Sequence, residues 1–115
     1  MKSENRLRKR KHFNYIYKNG EAASTAFVKI VFLKTRFQPF KVGFSVSRKI
    51  GKSVIRNKVK RRMKEAFFEL TQLVNKNYNY IVVAKQGIEN LDYQKIKQEL
   101  ENGLRKARVI DEKIN

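Results

Sequence analysis

The chain has 115 residues, 41% of them hydrophobic, no cysteine and a formal net charge of +18. That length predicts a single domain over residues 1–115 with a buried core, and the absence of cysteine excludes disulfides and thiolate metal sites. No run approaches the roughly 18 apolar residues of a membrane span, and the basic N-terminus lacks the apolar stretch of a secretory signal, so a cytoplasmic protein is expected. The charge is unevenly placed. Residues 1–64 carry 20 basic and 2 acidic residues, whereas residues 65–115 carry 8 of each. One strongly basic half implies a polyanion, and nucleic acid is the first candidate. A membrane surface fits poorly, because no isolated basic amphipathic helix and no lipidation motif is present.

In chain order, a basic lead-in over about residues 1–8 reads as a flexible tail. "HFNYIYKNG" predicts a short helix with Phe13, Ile16 and Tyr17 on one face and Gly20 as its stop. Room remains for one short strand near residues 22–25. Residues 26–35, "AFVKIVFLKT", predict a strand, and "RFQPF" a turn around Pro39. Residues 41–47 alternate cleanly: Val42, Phe44 and Val46 face a core, and Lys41, Gly43, Ser45 and Ser47 face away. Gly51 permits a turn, and Ser53 is the expected N-cap of a helix over 54–74. Val59, Met63, Ala66, Phe67, Leu70 and Leu73 form its apolar stripe. Residues 79–85 predict another strand, and Asp92 caps a last helix carrying Tyr93, Ile96, Leu100 and Leu104 on one face. The order is α-β-β-(β)-α-β-α, an α+β two-layer sandwich around a mixed sheet. Strand 41–47, helix 54–74 and strand 79–85 form a βαβ crossover, so those strands should run parallel.

Candidate chemistry is sparse. The lone histidine, His12, sits in a basic segment and suits an exposed or RNA-contacting role. Only Glu4 and Glu21 are acidic in the basic half, so no carboxylate pair there can hold a catalytic metal. No glycine-rich phosphate loop or histidine–carboxylate cluster occurs. The chain is therefore not expected to supply catalytic groups, and no metal or cofactor is expected on it.

Residues 48–64, "RKIGKSVIRNKVKRRMK", carry nine Lys or Arg and no acid. Ile50, Val54, Ile55, Val59 and Met63 run through them at the spacing of a buried face. Cations in the first turns of a helix oppose its macrodipole, which is unfavourable unless phosphates dock there. Residue order sharpens this reading. "VGFSVSRKIGKSVIRNKVKRRMKEAF" resembles the bacterial ribonuclease P protein family, through Val46-Ser47-Arg48-Lys49, Gly51, Arg56-Asn57-Lys58, Lys60-Arg61 and Glu65-Ala66-Phe67. "RLRKRKHFNYIYKNG" resembles that family's opening helix. Two departures stand out: Lys58 replaces the usual arginine, losing its bidentate fork, and Lys52-Ser53 replaces the commoner Asn-Ala.

The resemblance implies a ribosomal protein S5 domain 2-like fold and the small subunit of an RNA-based endonuclease that removes the 5′ leader of precursor tRNA. The partner RNA would hold Mg²⁺ and cleave. Ribonuclease P RNA and precursor tRNA are the implied partners, with no DNA and no membrane. It implies that Arg48, Lys49, Lys52, Arg56, Asn57, Lys58, Lys60, Arg61 and Lys64 meet the catalytic RNA. Phe13, Tyr17, Ile30, Phe32, Ser45 and Ser47 are candidates for the leader cleft. Either face of strand 26–35 could floor that cleft, since both are apolar. Arg6, Arg8, Lys9, Arg10 and Lys11 would add basic contacts. The alternative is a generic RNA-binding ribosomal or assembly protein. A protein-only nuclease lacks its acid pair, and a helix-turn-helix regulator lacks its preceding short helix.

Overall fold

The computed structural model describes residues 3–110, through seven principal elements. These are α1 (Arg10–Asn19), β1 (Glu21–Ser24), β2 (Val28–Lys34), β3 (Val42–Ser45), α2 (Ser53–Leu70), β4 (Tyr78–Ala84) and α3 (Tyr93–Lys106). The strands form one sheet in the order β1-β2-β4-β3. β1 and β4 flank β2 antiparallel, while β3 pairs with β4 in parallel through the α2 crossover. The parallel pair and the extra short strand are both as the sequence implies.

Alternation of side chains gives the sheet two faces. Val28, Ile30 and Phe32 of β2, Tyr80 and Val82 of β4, and Val42 and Phe44 of β3 turn toward α2 and α3. There they meet Val59, Met63, Phe67 and Leu70 of α2 and Ile96, Leu100 and Leu104 of α3, all buried. Each such large side chain contributes about 1.5–3 kcal/mol by leaving water. Phe40, Phe44, Phe67 and Tyr80 pack ring to ring with centroids 5.7–6.4 Å apart. The Tyr80 hydroxyl donates to the Asn75 carbonyl, and burial pushes its pKa upward. α1 lies across the opposite face. Its Ile16 closes a smaller cluster with Val31 and Ile81, with Leu7, Phe13, Leu33 and Val83 partly buried around it.

The helix ends show which local signals act. Asp92 caps α3, its Oδ1 accepting from the Lys95 N–H at 2.9 Å. The Gly20 N–H closes α1 on the Ile16 carbonyl at 2.8 Å. Ser53, expected as a cap, is instead the first residue of α2; Lys52 occupies the N-cap and no side chain caps the helix. The turn before it needs Gly51, whose φ of 152° is a conformation that side-chain-bearing residues rarely adopt. α2 ends at Leu70, so Leu73 packs from the following turn rather than from the helix stripe.

Candidate nucleic-acid interface

Segment 48–64 is both buried and charged because it changes role along its length. A 3-10 turn, Arg48–Ile50, drives Ile50 into the core and leaves Arg48 and Lys49 exposed. Val54 and Ile55, which share the apolar spacing, are 77% and 40% exposed. The buried stripe begins at Val59, because the first turn of α2 lies beyond the cover of the sheet. Arg56, Lys60 and Lys64 follow at i, i+4 and i+8, flanked by Asn57 and Arg61. The same spacing puts Lys58 with Arg62 and Glu65 on another flank, where Arg62 Nη1 donates to the Leu91 carbonyl at 3.2 Å. Lys52 is exposed at the uncapped start, and the first turn holds no acid. The orphan N–H groups there and the neighbouring cations attract the same kind of anion.

Beside this flank runs a cleft of about 540 Å³ between the N-terminal segment, α1, β3 and α2. The basic lead-in is held against the sheet edge: Arg6 bridges to Val42 in parallel, and the Leu7 N–H donates to the Val42 carbonyl at 3.1 Å. Arg6, Arg8, Lys9 and Arg10 thus line one side, Lys60 and Lys64 another, with Gly43, Ser45 and Val46 of the β3 strip between them. Lys11 is exposed outside this lining. A Cβ on Gly43 would lie 2.9 Å from Leu7 Cδ2 and 3.2 Å from Phe13 Cδ2, so glycine lets both side chains settle on β3. Among the described residues, no carboxylate lines the cleft.

Desolvation, then repulsion from Lys60 and Arg6, holds the Lys64 ammonium below the usual lysine pKa. The folded state therefore releases that proton more readily than the unfolded chain. Charging Lys64 costs stability below its depressed pKa, and the cost fades as pH rises past the ordinary lysine value. Lys64→Met is expected to raise the melting temperature of the free protein at neutral pH and low salt. Added sulfate should stabilise the parent more than this variant. A lower melting point for the variant with an unchanged sulfate response would contradict this account.

α1 supplies an aromatic pair, of which Phe13 lines the cleft. The rings of Phe13 and Tyr17 are parallel within 12° and 6.3 Å apart. Phe13 is half-buried, whereas Tyr17 is 44% exposed. Lys29 Nζ donates to the Tyr17 hydroxyl at 2.9 Å; its 4.8 Å to the ring centroid reflects that bond at the hydroxyl end rather than a seat over the ring. In register, Lys29 faces Val83 and Val83 faces Ser45, which places a polar–apolar–polar row across the sheet on the α1 side. Ser47 is exposed just beyond.

Ile30 and Phe32 do not join this row. Ile30 is fully buried beneath α3, close against Gly103, and Phe32 meets Tyr78 edge-on at 5.8 Å on the same core face. The face of β2 turned toward α1 is the opposite one, carrying Lys29, Val31 and Leu33. Lys29 and Val83 are thus site candidates that β2 alone does not reveal. The signal lay in β3, whose outward Ser45 transfers its polar face to Val83 and Lys29 once the pairing is known.

The sequence model of the family described as Ribonuclease P matches residues 1–108. The chain belongs to the ribonuclease P protein family. A ribonuclease P protein component from Clostridium botulinum is 36% identical over 107 residues, covering 92% of this chain and 96% of the relative. One from Listeria innocua is 33% identical over 116 residues, covering 100% and 98%. The solved RNase P protein of Staphylococcus aureus superposes with a TM-score of 0.84 at 30% identity, covering 93% of this chain and 98% of that one. That of Thermotoga maritima does so at 0.80 and 27%, covering 92% and 98%. As a ribonuclease P protein, the chain is an RNA-binding component in the endonuclease activity of ribonuclease P and in tRNA processing, partnered with ribonuclease P RNA. Among the described residues, no helix is long and apolar enough to cross a membrane.

Proposed function

We propose that the chain docks on ribonuclease P RNA through the 3-10 turn and outer flank of α2, and holds the 5′ leader of precursor tRNA in the cleft. The observation that carries this reading is a cation-lined cleft with no carboxylate among the described residues, next to a stacked pair of rings with one ring open to solvent. Phosphates would meet Arg6, Arg8, Lys60 and Lys64, while an unstacked base would lie against Tyr17 near Lys29. Catalysis is assigned to the RNA. Mg²⁺ is assigned there too, because ammonium and guanidinium groups do not ligate a divalent cation. The chain's part is to position the substrate and lower the repulsion between two RNAs. A cytoplasmic location fits such partners.

Reconstitution tests this reading. Precursor tRNA and a bacterial ribonuclease P RNA, incubated at low Mg²⁺ with and without the protein, should show faster leader removal only with it. The protein alone should leave the substrate intact. No gain in rate would favour a generic RNA-binding protein, and cleavage by the protein alone would move the chemistry onto this chain.

A further inference from the structure

A second groove, of about 610 Å³, lies on the other side of α1, between that helix and the β2–β3 loop. Its rim carries Tyr15, 63% exposed, and Phe37, 77% exposed. His12 and Leu33 also line it. Phe37 is not a ring that merely failed to pack, because its loop is tied on both sides. The Thr35 N–H donates to the Asn77 carbonyl at 2.8 Å, and the Phe37 N–H to Thr35 Oγ1 at 3.1 Å. Gln38 Nε2 donates to the Lys76 carbonyl at 2.7 Å, and the Lys41 N–H to Asn79 Oδ1 at 2.7 Å. The ring is therefore presented outward by an already ordered loop, so binding there need not order it first.

The groove's charge selects its occupant. Lys34, Arg36 and Lys41 line it, and among the described residues no carboxylate does. Lys41 Nζ is engaged by the Glu4 carbonyl, while Lys34 and Arg36 have no ion-pair partner among the described residues. A second copy of this chain would bring another +18 against these cations, which disfavours self-association. Two exposed rings between unpaired cations match a single strand, whose bases stack on aromatic faces and whose phosphates meet Lys and Arg. A duplex hides its bases and could use only the cations.

We infer that the Tyr15–Phe37 groove is a second single-stranded RNA site, separate from the leader cleft and taking one or two unpaired nucleotides. The cleft and this groove lie on the two flanks of α1, so one chain can hold two unpaired strands at once.

The probe is a short fluorescein-labelled oligouridylate titrated against the full chain at low salt, with stoichiometry read by anisotropy. Two strands per chain are expected for the parent, and one for Tyr15→Leu/Phe37→Leu, with the affinity of the lost site falling about 5- to 100-fold. Both rings are exposed, so this variant should melt within a few degrees of the parent. Phe37→Trp keeps a stacking face and should retain the site. A 4-thiouridine probe should crosslink to peptides containing Tyr15 or Phe37. Phe13→Leu/Tyr17→Leu reports separately on the leader cleft, so failure of that reading would leave the groove's result legible. The inference is overturned by unchanged stoichiometry in Tyr15→Leu/Phe37→Leu, by equal competition from duplex RNA, or by a dimer in sedimentation that this variant abolishes.

Discussion

Replacing Arg56, Lys60 and Lys64 together by Gln is expected to weaken binding to ribonuclease P RNA by roughly two to three decades at about 0.1 M salt. The three cations share one stripe of α2, Lys60 exposed and Arg56 and Lys64 half-buried, and no carboxylate among the described residues bridges to any of them. Each neutralised phosphate contributes roughly 0.7–0.9 to the slope of log K against log[salt], so the slope should shrink by about two to three. Removing three cations from the neighbouring helix α3 provides the control. Lys95, Lys97 and Arg105 lie on α3, where Lys97 faces Glu69 at 3.6 Å and Arg105 meets Glu101 at 2.7 Å. Their replacement by Gln should change affinity far less, since screened charges act only over about 8–10 Å. Equal losses from the two triple variants would mean that net charge, not the α2 flank, carries the binding. The α2 variant should also melt at a higher temperature when free, because the desolvation of the Lys64 ammonium and then its repulsion from Lys60 are relieved.

The second large effect concerns the rings of α1. Tyr17→Leu combined with Phe13→Leu is expected to weaken binding of leader-bearing precursor tRNA by about 10- to 100-fold, with little change for leaderless tRNA. Base stacking on an aromatic ring is worth roughly 1–3 kcal/mol, and leucine keeps the volume while losing the face. The two positions should separate when changed singly. Phe13 packs over Gly43 and belongs to the cluster of Ile16, Val31 and Ile81, so its replacement should also cost about 1 kcal/mol of stability. Tyr17 is largely outside that cluster, and its replacement should alter binding with the melting temperature nearly unchanged. Filter-binding titrations with both tRNAs, paired with thermal melts, distinguish the outcomes. Equal losses on leader-bearing and leaderless tRNA would reduce both rings to core packing.

Elements whose two sides differ chemically are legible in the residue order alone. α2 is legible because Val59, Met63, Ala66, Phe67 and Leu70 repeat at helical spacing among cations, and burial then follows that stripe. β3 is legible because Val42 and Phe44 alternate with Gly43 and Ser45. The β3–α2–β4 crossover follows from its length, and Asp92 announces α3 through local capping chemistry. The polyanion-binding half is legible because charge is read from composition without any fold.

Relations between segments distant in the chain emerge only when the chain is packed. β2 is apolar on both faces because helices cover the sheet on both sides, so its own alternation holds no information about which face floors the cleft. Pairing with β4 and β3 fixes the packing: Ile30 and Phe32 lie on the core face, and Lys29 and Val83 lie on the α1 side. Val54 and Ile55 fit the stripe but not the core, because the sheet stops short of the first turn of α2. The basic lead-in becomes a cleft wall through long-range bonds such as that from the Leu7 N–H to the Val42 carbonyl, which no local pattern encodes. Residue order thus states which surfaces are apolar and which are charged; only packing states which of them meet.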